Sequence, residues 1–231
     1  MDVREIDQIG INLKDYLTTG SIDRETIVEE VRNAWKRLKN PVLKKLLCEL
    51  FADCKDTFFE YPAAAKNHHE FCGGLSTHVV GMLRVGYAVC ELYPMLDEDL
   101  LISGILAHDL GKLIELSGAI LPDYTTEGRL LGHISIMQAK IAEKASELGI
   151  PENDESVVLL RHMVLSHHGQ YEYGSPVLPM IPEAEVLHMI DNMDARMEMM
   201  RKSLDDVEEG AFTQRIFSLE NRMLYKHKKL G

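Results

Sequence analysis

The nine residues Ile105 to Leu113, ILAHDLGKL, decide how this chain is read. An apolar run from Leu100 to Leu106 leads straight into His108-Asp109, and Gly111-Lys112 follow. An imidazole and a carboxylate at the end of an apolar segment are costly to bury unless something compensates them. Both are ligands suited to divalent transition metals. A metal is the expected compensation, with further ligands expected from His78, His133, the pair His167-His168, and Asp191.

Around that stretch almost everything reads as helix. Ser21 to Asn40 has Ser21 or Asp23 as a cap and Ile27, Val31, Trp35 and Leu38 on one face. Pro41 opens a second helix, expected to run to about Phe59. Thr77 to Leu92 is a third, and Asp97 can cap a fourth that carries His108-Asp109. Residues 117–131 hold glycines and a proline and read as a surface loop. His133 to Leu148, Glu152 to His168 and Pro182 to Leu204 complete the helical set; the remainder reads as loop with room for a short helix. No stretch alternates as strands do. The expected fold is all-α: a helical bundle over residues 61–205, an N-terminal helical extension over 1–60, and a tail over 206–231.

Composition narrows the class. The 231 residues are 45% apolar and 27% charged, as in an ordinary globular protein. No apolar run approaches the ~18 residues of a membrane span. MDVREIDQIG is not a signal peptide, so a cytoplasmic location is expected. Cys48, Cys54, Cys72 and Cys90 form no C-x-x-C pair, and reduced, packed thiols are expected. The net charge of -12 is a poor overall field for a polyanion, although local patches and metal ions can oppose it. The basic tail Tyr225 to Lys229 is one such patch; a solvated chain end is its plainer reading. The Met-rich stretch Met189 to Met200 reads as packing ahead of an interface.

The ligand candidates each fall on or at the end of a different expected helix, an arrangement known to build metal sites in helical domains. Neighbouring side chains on a helix diverge by about 100°. His108 and Asp109 therefore need not point at one atom, and the carboxylate could bridge two metals. Two metals about 3.5–4 Å apart can activate water and stabilise both oxygens of a phosphoester displacement. Singly, His133 is more often a packing residue, Asp191 a surface acid, and His167-His168 a helix end facing its dipole. Their joint occurrence favours a site. His162 is off the face of His168 and reads as structural or exposed. His188 shares the face of Asp191 and is either a partner to a ligand or a packing residue. Lys112 is read as a phosphate contact slightly ahead of a charge-balancing role. His68 and His69, in a loop before Gly73-Gly74, are candidates to line the pocket mouth.

At these residues the chain resembles the HD superfamily of metal-dependent phosphohydrolases: His78, then His108-Asp109, then Asp191, on an all-α scaffold. His133 and His167-His168 resemble the subgroups that hold two metals. The chain is more closely similar to the YhaM-type 3'-5' exoribonuclease family through YPAAAKNHHEFCGGLSTHVVGMLR (61–84), HDLGKLIELSG (108–118), LLGHISIM (130–137), LSHHGQYEYGSP (165–176) and EAEVLHMIDNMDARM (183–197). That resemblance implies His78, His108, Asp109 and Asp191 as core metal ligands, with His133 and one or both of His167 and His168 completing a second site. It implies two divalent ions, with manganese, iron, cobalt or nickel ahead of magnesium or zinc. The implied activity is removal of nucleotides from RNA 3' ends. Asp109, Lys112 and His69 are the expected catalytic residues, and His68, His69 and Lys112 the expected substrate contacts.

The family also carries an N-terminal OB-fold, for which this chain has no room; residues 1–20 resemble only its tail end. A stand-alone catalytic domain or a fragment is expected, with a short oligonucleotide, a cyclic dinucleotide or a mononucleotide as rival substrates. A di-iron oxygenase and a non-catalytic nucleotide-binding module are the other readings.

Overall fold

The computed structural model describes residues 22–55, 57–63, 72–119 and 122–229. The site follows from one helix, α4 (Glu98–Ala107), because every residue from Leu100 to Ala107 is buried. A helix that is apolar all round belongs in the middle of a domain. The others surround it: α1 (Arg24–Arg37), α2 (Pro41–Ala52), α3 (Gly74–Leu92), the single turn α5 (Lys112–Glu115), α6 (Thr126–Glu147), α7 (Glu155–Ser166) and α8 (Pro182–Asp205). α4 touches α2, α3, α7 and α8. Leu101, Ile102, Ile105 and Leu106 are fully buried, each worth about 1.5–3 kcal/mol on transfer from water. The apolar run thus drives its own C-terminus, His108-Asp109, into the centre of the molecule.

Local signals set the helix starts. The Asp23 carboxylate accepts from Thr26 N at 2.9 Å, Asn40 caps α2 just before Pro41, and Asp97 accepts from Leu100 N. α1 and α2 contribute Ile27, Val31, Leu43, Leu46 and Leu47 to the same core as α3, α4, α6, α7 and α8. The helical extension therefore packs as part of one core.

Several expected boundaries differ. α2 stops at Ala52 rather than near Phe59; a turn follows, so that Phe58 can insert between Phe51 and Phe59 at 5.0 Å from each. The expected loop 117–131 is helical from Thr126, because Thr125 caps it through Gly128 N at 2.8 Å. α6 is broken at Gly132 (φ 71°, ψ 152°), a conformation only glycine takes readily, and the kink swings His133 toward α4. Close approach matters at Gly111: a Cβ there would lie 2.3 Å from the backbone oxygen of His133.

The tail is more ordered than expected. Residues 210–226 fold back on themselves through Gly210 N to Lys226 O, Thr213 N to Leu224 O and Ile216 N to Arg222 O, at 2.7, 2.9 and 2.8 Å. Among the described residues these form isolated bridges rather than a sheet. The methionines of α8 do not all pack as expected, since Met189, Met193 and Met197 are exposed. Among the described residues no helix is long and apolar enough to cross a membrane.

Replacing Gly111 by alanine should force the α4–α5 turn away from α6 and cost about 1–3 kcal/mol. Urea denaturation of the variant checks this; an unchanged midpoint would show that the turn yields without cost.

Candidate metal centre

Five imidazoles and two carboxylates meet below the end of α4. His78 comes from the first turns of α3, His108 caps the C-terminus of α4, and Asp109 follows it. His133 stands just past the kink in α6, His167 caps α7 with His168 next, and Asp191 lies on α8. His78, His108 and His167 are fully buried and Asp109 is 3% exposed.

The donors sort into two trios. His78, His108 and Asp191 offer one atom each within 4.8 Å of one another, and so do His133, His167 and His168. Asp109 stands between the trios. Its Oδ2 lies 3.3 Å from His108 Nε2 and 4.0 Å from His78 Nε2. Its Oδ1 lies 3.5 Å from His133 Nε2 and 3.8 Å from His167 Nε2. One carboxylate thus turns an oxygen toward each trio.

The imidazoles are oriented from behind. His108 Nδ1 donates to Ile105 O at 2.9 Å, His167 Nδ1 to Val164 O at 2.7 Å, and His168 Nδ1 to Tyr173 O at 2.7 Å. His78 Nδ1 faces the Asp194 carboxylate at 2.7 Å, and His133 Nδ1 faces Glu115 Oε1 at 3.2 Å. A carbonyl or carboxylate can only accept, so Nδ1 carries the proton and Nε2 keeps its lone pair for a cation. The Nε2 atoms of His108, His133 and His167, and Asp109 Oδ1, are buried without a hydrogen bond. Each such atom costs about 1–3 kcal/mol unless a partner is supplied. Divalent ions satisfy all of them, and the donor set of imidazole and carboxylate fits such ions.

Electrostatics agree. Burial pushes His167 well below its usual value, and the nearby His168 and His108 push the same way. Burial also lowers His168, ahead of His133. Burial would raise Asp109, but the Lys112 ammonium and His108 hold it well below the carboxylate range. Lys112 Nζ sits 2.7 Å from Asp109 Oδ2; burial disfavours its charge, and the carboxylate restores it. His78 differs: burial opposes its charge, yet bonds to Asp191 and Asp194 carry it up to about 10. His78 Nε2 lies 3.2 Å from Asp191 Oδ1.

All seven expected ligands converge. His68 and His69 lie outside the described residues. His188 reaches the site indirectly: its Nδ1 donates to His167 O at 3.1 Å. His162 is structural, its Nε2 accepting from Met180 N at 3.0 Å. Sequence reasoning missed Glu115 and Asp194. Asp194 is three residues past Asp191 on the same helical face, and Glu115 three past Lys112. Burial would raise Glu115, but its hydrogen bond from His133 holds it low. Gly81 leaves room for Asp194, whose Oδ1 would lie 2.6 Å from a Cβ there.

Comparison with known proteins places these donors within one family domain. The sequence model of the HD domain covers residues 75–196, a span that holds every one of the seven donors. The chain belongs to the HD-domain family. Among its HD-domain relatives, the 3'-5' exoribonuclease YhaM of Geobacillus sp. (strain WCH70) is 49% identical over 217 residues, 94% of this chain and 66% of the relative. The proteins of the same name from Bacillus pumilus (strain SAFR-032) and Bacillus subtilis (strain 168) are 49% and 47% identical, over 97% and 95% of this chain and 70% and 69% of theirs. The chain spans about two thirds of the length of the curated relatives it matches. No solved structure matches it significantly.

Two outcomes test this HD centre. Below its value of about 10, His78 must lose a proton to bind a metal, so affinity should rise about tenfold per pH unit from that proton alone. Competition titration with a metal chelator at about pH 6 to 8 checks the slope. Glu115→Gln and Asp194→Asn should each keep the fold and weaken metal binding about 10–100-fold. Equal affinity in these variants would show that the imidazoles orient themselves.

Proposed function

We propose that this chain is a metal-dependent phosphodiesterase that removes nucleotides from the 3' end of single-stranded RNA or short oligonucleotides. The observation that carries the reading is Asp109, with one oxygen toward each donor trio. His78, His108 and Asp191 would hold one divalent ion and His133, His167 and His168 the other, with Asp109 shared. When bound, such a pair supplies an activated water near neutral pH and positive charge for the attacking and leaving oxygens. The relatives' names support RNA as substrate and a 3'-to-5' direction.

The metal preference follows from the donors. Magnesium favours oxygen ligands, whereas both trios are mostly imidazole. A trio plus the shared carboxylate would already complete a four-coordinate zinc and leave no position for substrate. Manganese, iron, cobalt or nickel accept further ligands.

The chain's own groups position the ester. Lys112 carries three N–H donors and uses one on Asp109. The reading gives another to a non-bridging phosphate oxygen, so Lys112 both steadies the shared carboxylate and holds substrate. His68 and His69 are the further substrate contacts in this reading, and His69 is its further catalytic residue. Water adds to phosphorus and the bond to the 3' oxygen of the preceding nucleotide breaks. The products are a nucleoside 5'-monophosphate and a strand shortened by one residue with a 3' hydroxyl. Residues 61–205 are the catalytic unit in this reading, which the HD-domain match over 75–196 supports. A cytoplasmic location is supported by Cys48, Cys54, Cys72 and Cys90 remaining free thiols, as in reducing compartments.

A 5'-labelled single-stranded RNA incubated with the protein and Mn²⁺ should give a ladder shortening from the 3' end. His108→Ala and Asp109→Ala should lower the rate about 10³-fold or more, the several kcal/mol a bound ion contributes. Lys112→Ala should raise KM more than it lowers kcat. Variants that cleave as fast as the parent chain would sink the reading.

A further inference from the structure

The C-terminal segment is unlike the rest of the chain. Residues 211–229 carry five Lys or Arg against the single acid Glu220, in a protein of net charge -12. They form the narrow hairpin described above, closed by the Phe212–Tyr225 and Ile216–Arg222 bridges. The hairpin is fixed rather than loose. Arg196 on α8 grips the Glu220 carboxylate with both guanidinium arms, at 2.6 and 2.9 Å. Lys226 Nζ donates to Leu204 O at 2.8 Å, and the Leu219 side chain is fully buried.

That fixed element presents rings to water. Phe217 is 92% exposed, Phe212 60% and Tyr225 49%, with the last two rings 5.0 Å apart. Exposing such area forgoes about 25 cal/mol per Å² of burial, and no packing within the described chain uses these faces. Exposed Arg215, Lys228 and Lys229 stand among them, while Arg222 pairs with Glu220 at 3.1 Å. Aromatic faces interleaved with cations suit a single strand, whose bases stack while its phosphates are neutralised.

α8, which anchors the hairpin through Arg196, also carries the donor Asp191. Arg196 follows Asp191 by five residues, about 7.5 Å along the helix and about 140° around it. Tyr173 offers its backbone oxygen to His168 Nδ1. Tyr171 and Tyr173 are themselves 60% and 64% exposed. Exposed rings therefore stand beside His168 as well as on the hairpin. The interleaving of rings with cations on the hairpin favours a single strand over a protein or lipid surface.

We infer that the C-terminal hairpin is a docking platform for the single-stranded nucleic acid whose end enters the metal centre, with bases stacked on Phe217, Phe212 and Tyr225. The phosphates face Arg215, Lys228 and Lys229. This rests on the proposed phosphodiesterase reading for the direction of the strand, but not for the binding itself.

The test is fluorescence anisotropy with a labelled phosphorothioate strand of about ten nucleotides, inside the range of single-strand site sizes, added to the Mn²⁺-loaded full chain. Phe217→Ala should weaken binding about fivefold or more, as removal of one base–ring stack does. Lys228→Glu/Lys229→Glu should flatten the dependence of log affinity on log salt by about 0.7 for each phosphate the protein ceases to neutralise. Circular dichroism melts establish that both variants fold. Affinity and salt slope equal to the parent chain would overturn the inference. So would stronger retention on anionic phospholipid vesicles than on the strand, with the same residues responsible. Hydrolysis of bis(p-nitrophenyl) phosphate by the parent chain reports on the catalytic reading separately. If that fails while strand binding still depends on Phe217 and the lysines, the hairpin inference stands and the catalytic one falls.

Discussion

A single carboxylate, Asp109, is claimed from five sides. His78, His108, His133 and His167 bring Nε2 atoms to within 4.0 Å of its oxygens, and Lys112 bonds it at 2.7 Å. A buried anion is tolerable only when surrounded by such partners. Its position is dictated by α4, whose apolar residues take the middle of the bundle and leave the next two residues nowhere else to go. Each neighbouring helix then supplies what the carboxylate lacks. α3, α6 and α7 bring imidazoles, and α8 brings the second carboxylate, with the His78 ring between it and Asp109.

The layer behind the donors solves a second problem with the same bonds. The last carbonyls of a helix have no intrahelical partner. His108 at the end of α4 and His167 at the end of α7 each donate Nδ1 to a carbonyl three residues back. One bond thus satisfies an orphan carbonyl, fixes the tautomer and aims Nε2 inward. His78 lies inside α3 and His133 just past the α6 kink, and neither makes such a bond. They use Glu115 and Asp194 instead. The cost is two more buried or half-buried acids. Glu115 recovers part of it by also accepting from the backbone N–H of His133 at the α6 kink.

What could be read from the sequence follows the same division. The donors were legible because histidine and aspartate are conspicuous at the ends of apolar runs, and the bundle because those runs recur with helical period. The HD-domain match bears out the fold class that the helical pattern suggested. Glu115 and Asp194 were not legible: on a charged chain an acid three residues from a ligand resembles any solvated acid until a ring nitrogen is seen against it. The end of α2 and the helical start of α6 were misread for a local reason. The apolar pattern continues past Ala52 because Phe58 and Phe59 pack from a turn, and Gly128 and Gly132 look like loop residues although one sits in a helix and the other kinks it. The tail was misread because its hairpin pairs too few residues for alternation to show.

Net charge is a poor guide to what such a protein can bind. At physiological ionic strength charges more than about 8 Å apart at the surface scarcely feel one another. The acids that make the total -12 include exposed pairs such as Glu143 with Lys140 and Asp123 with Arg129, which are neutralised where they stand. A polyanion approaching this chain meets local fields. At the centre these are set by Lys112 and by whatever cations the two trios hold; at the C-terminal hairpin they are set by Arg215, Lys228 and Lys229 around rings left in water.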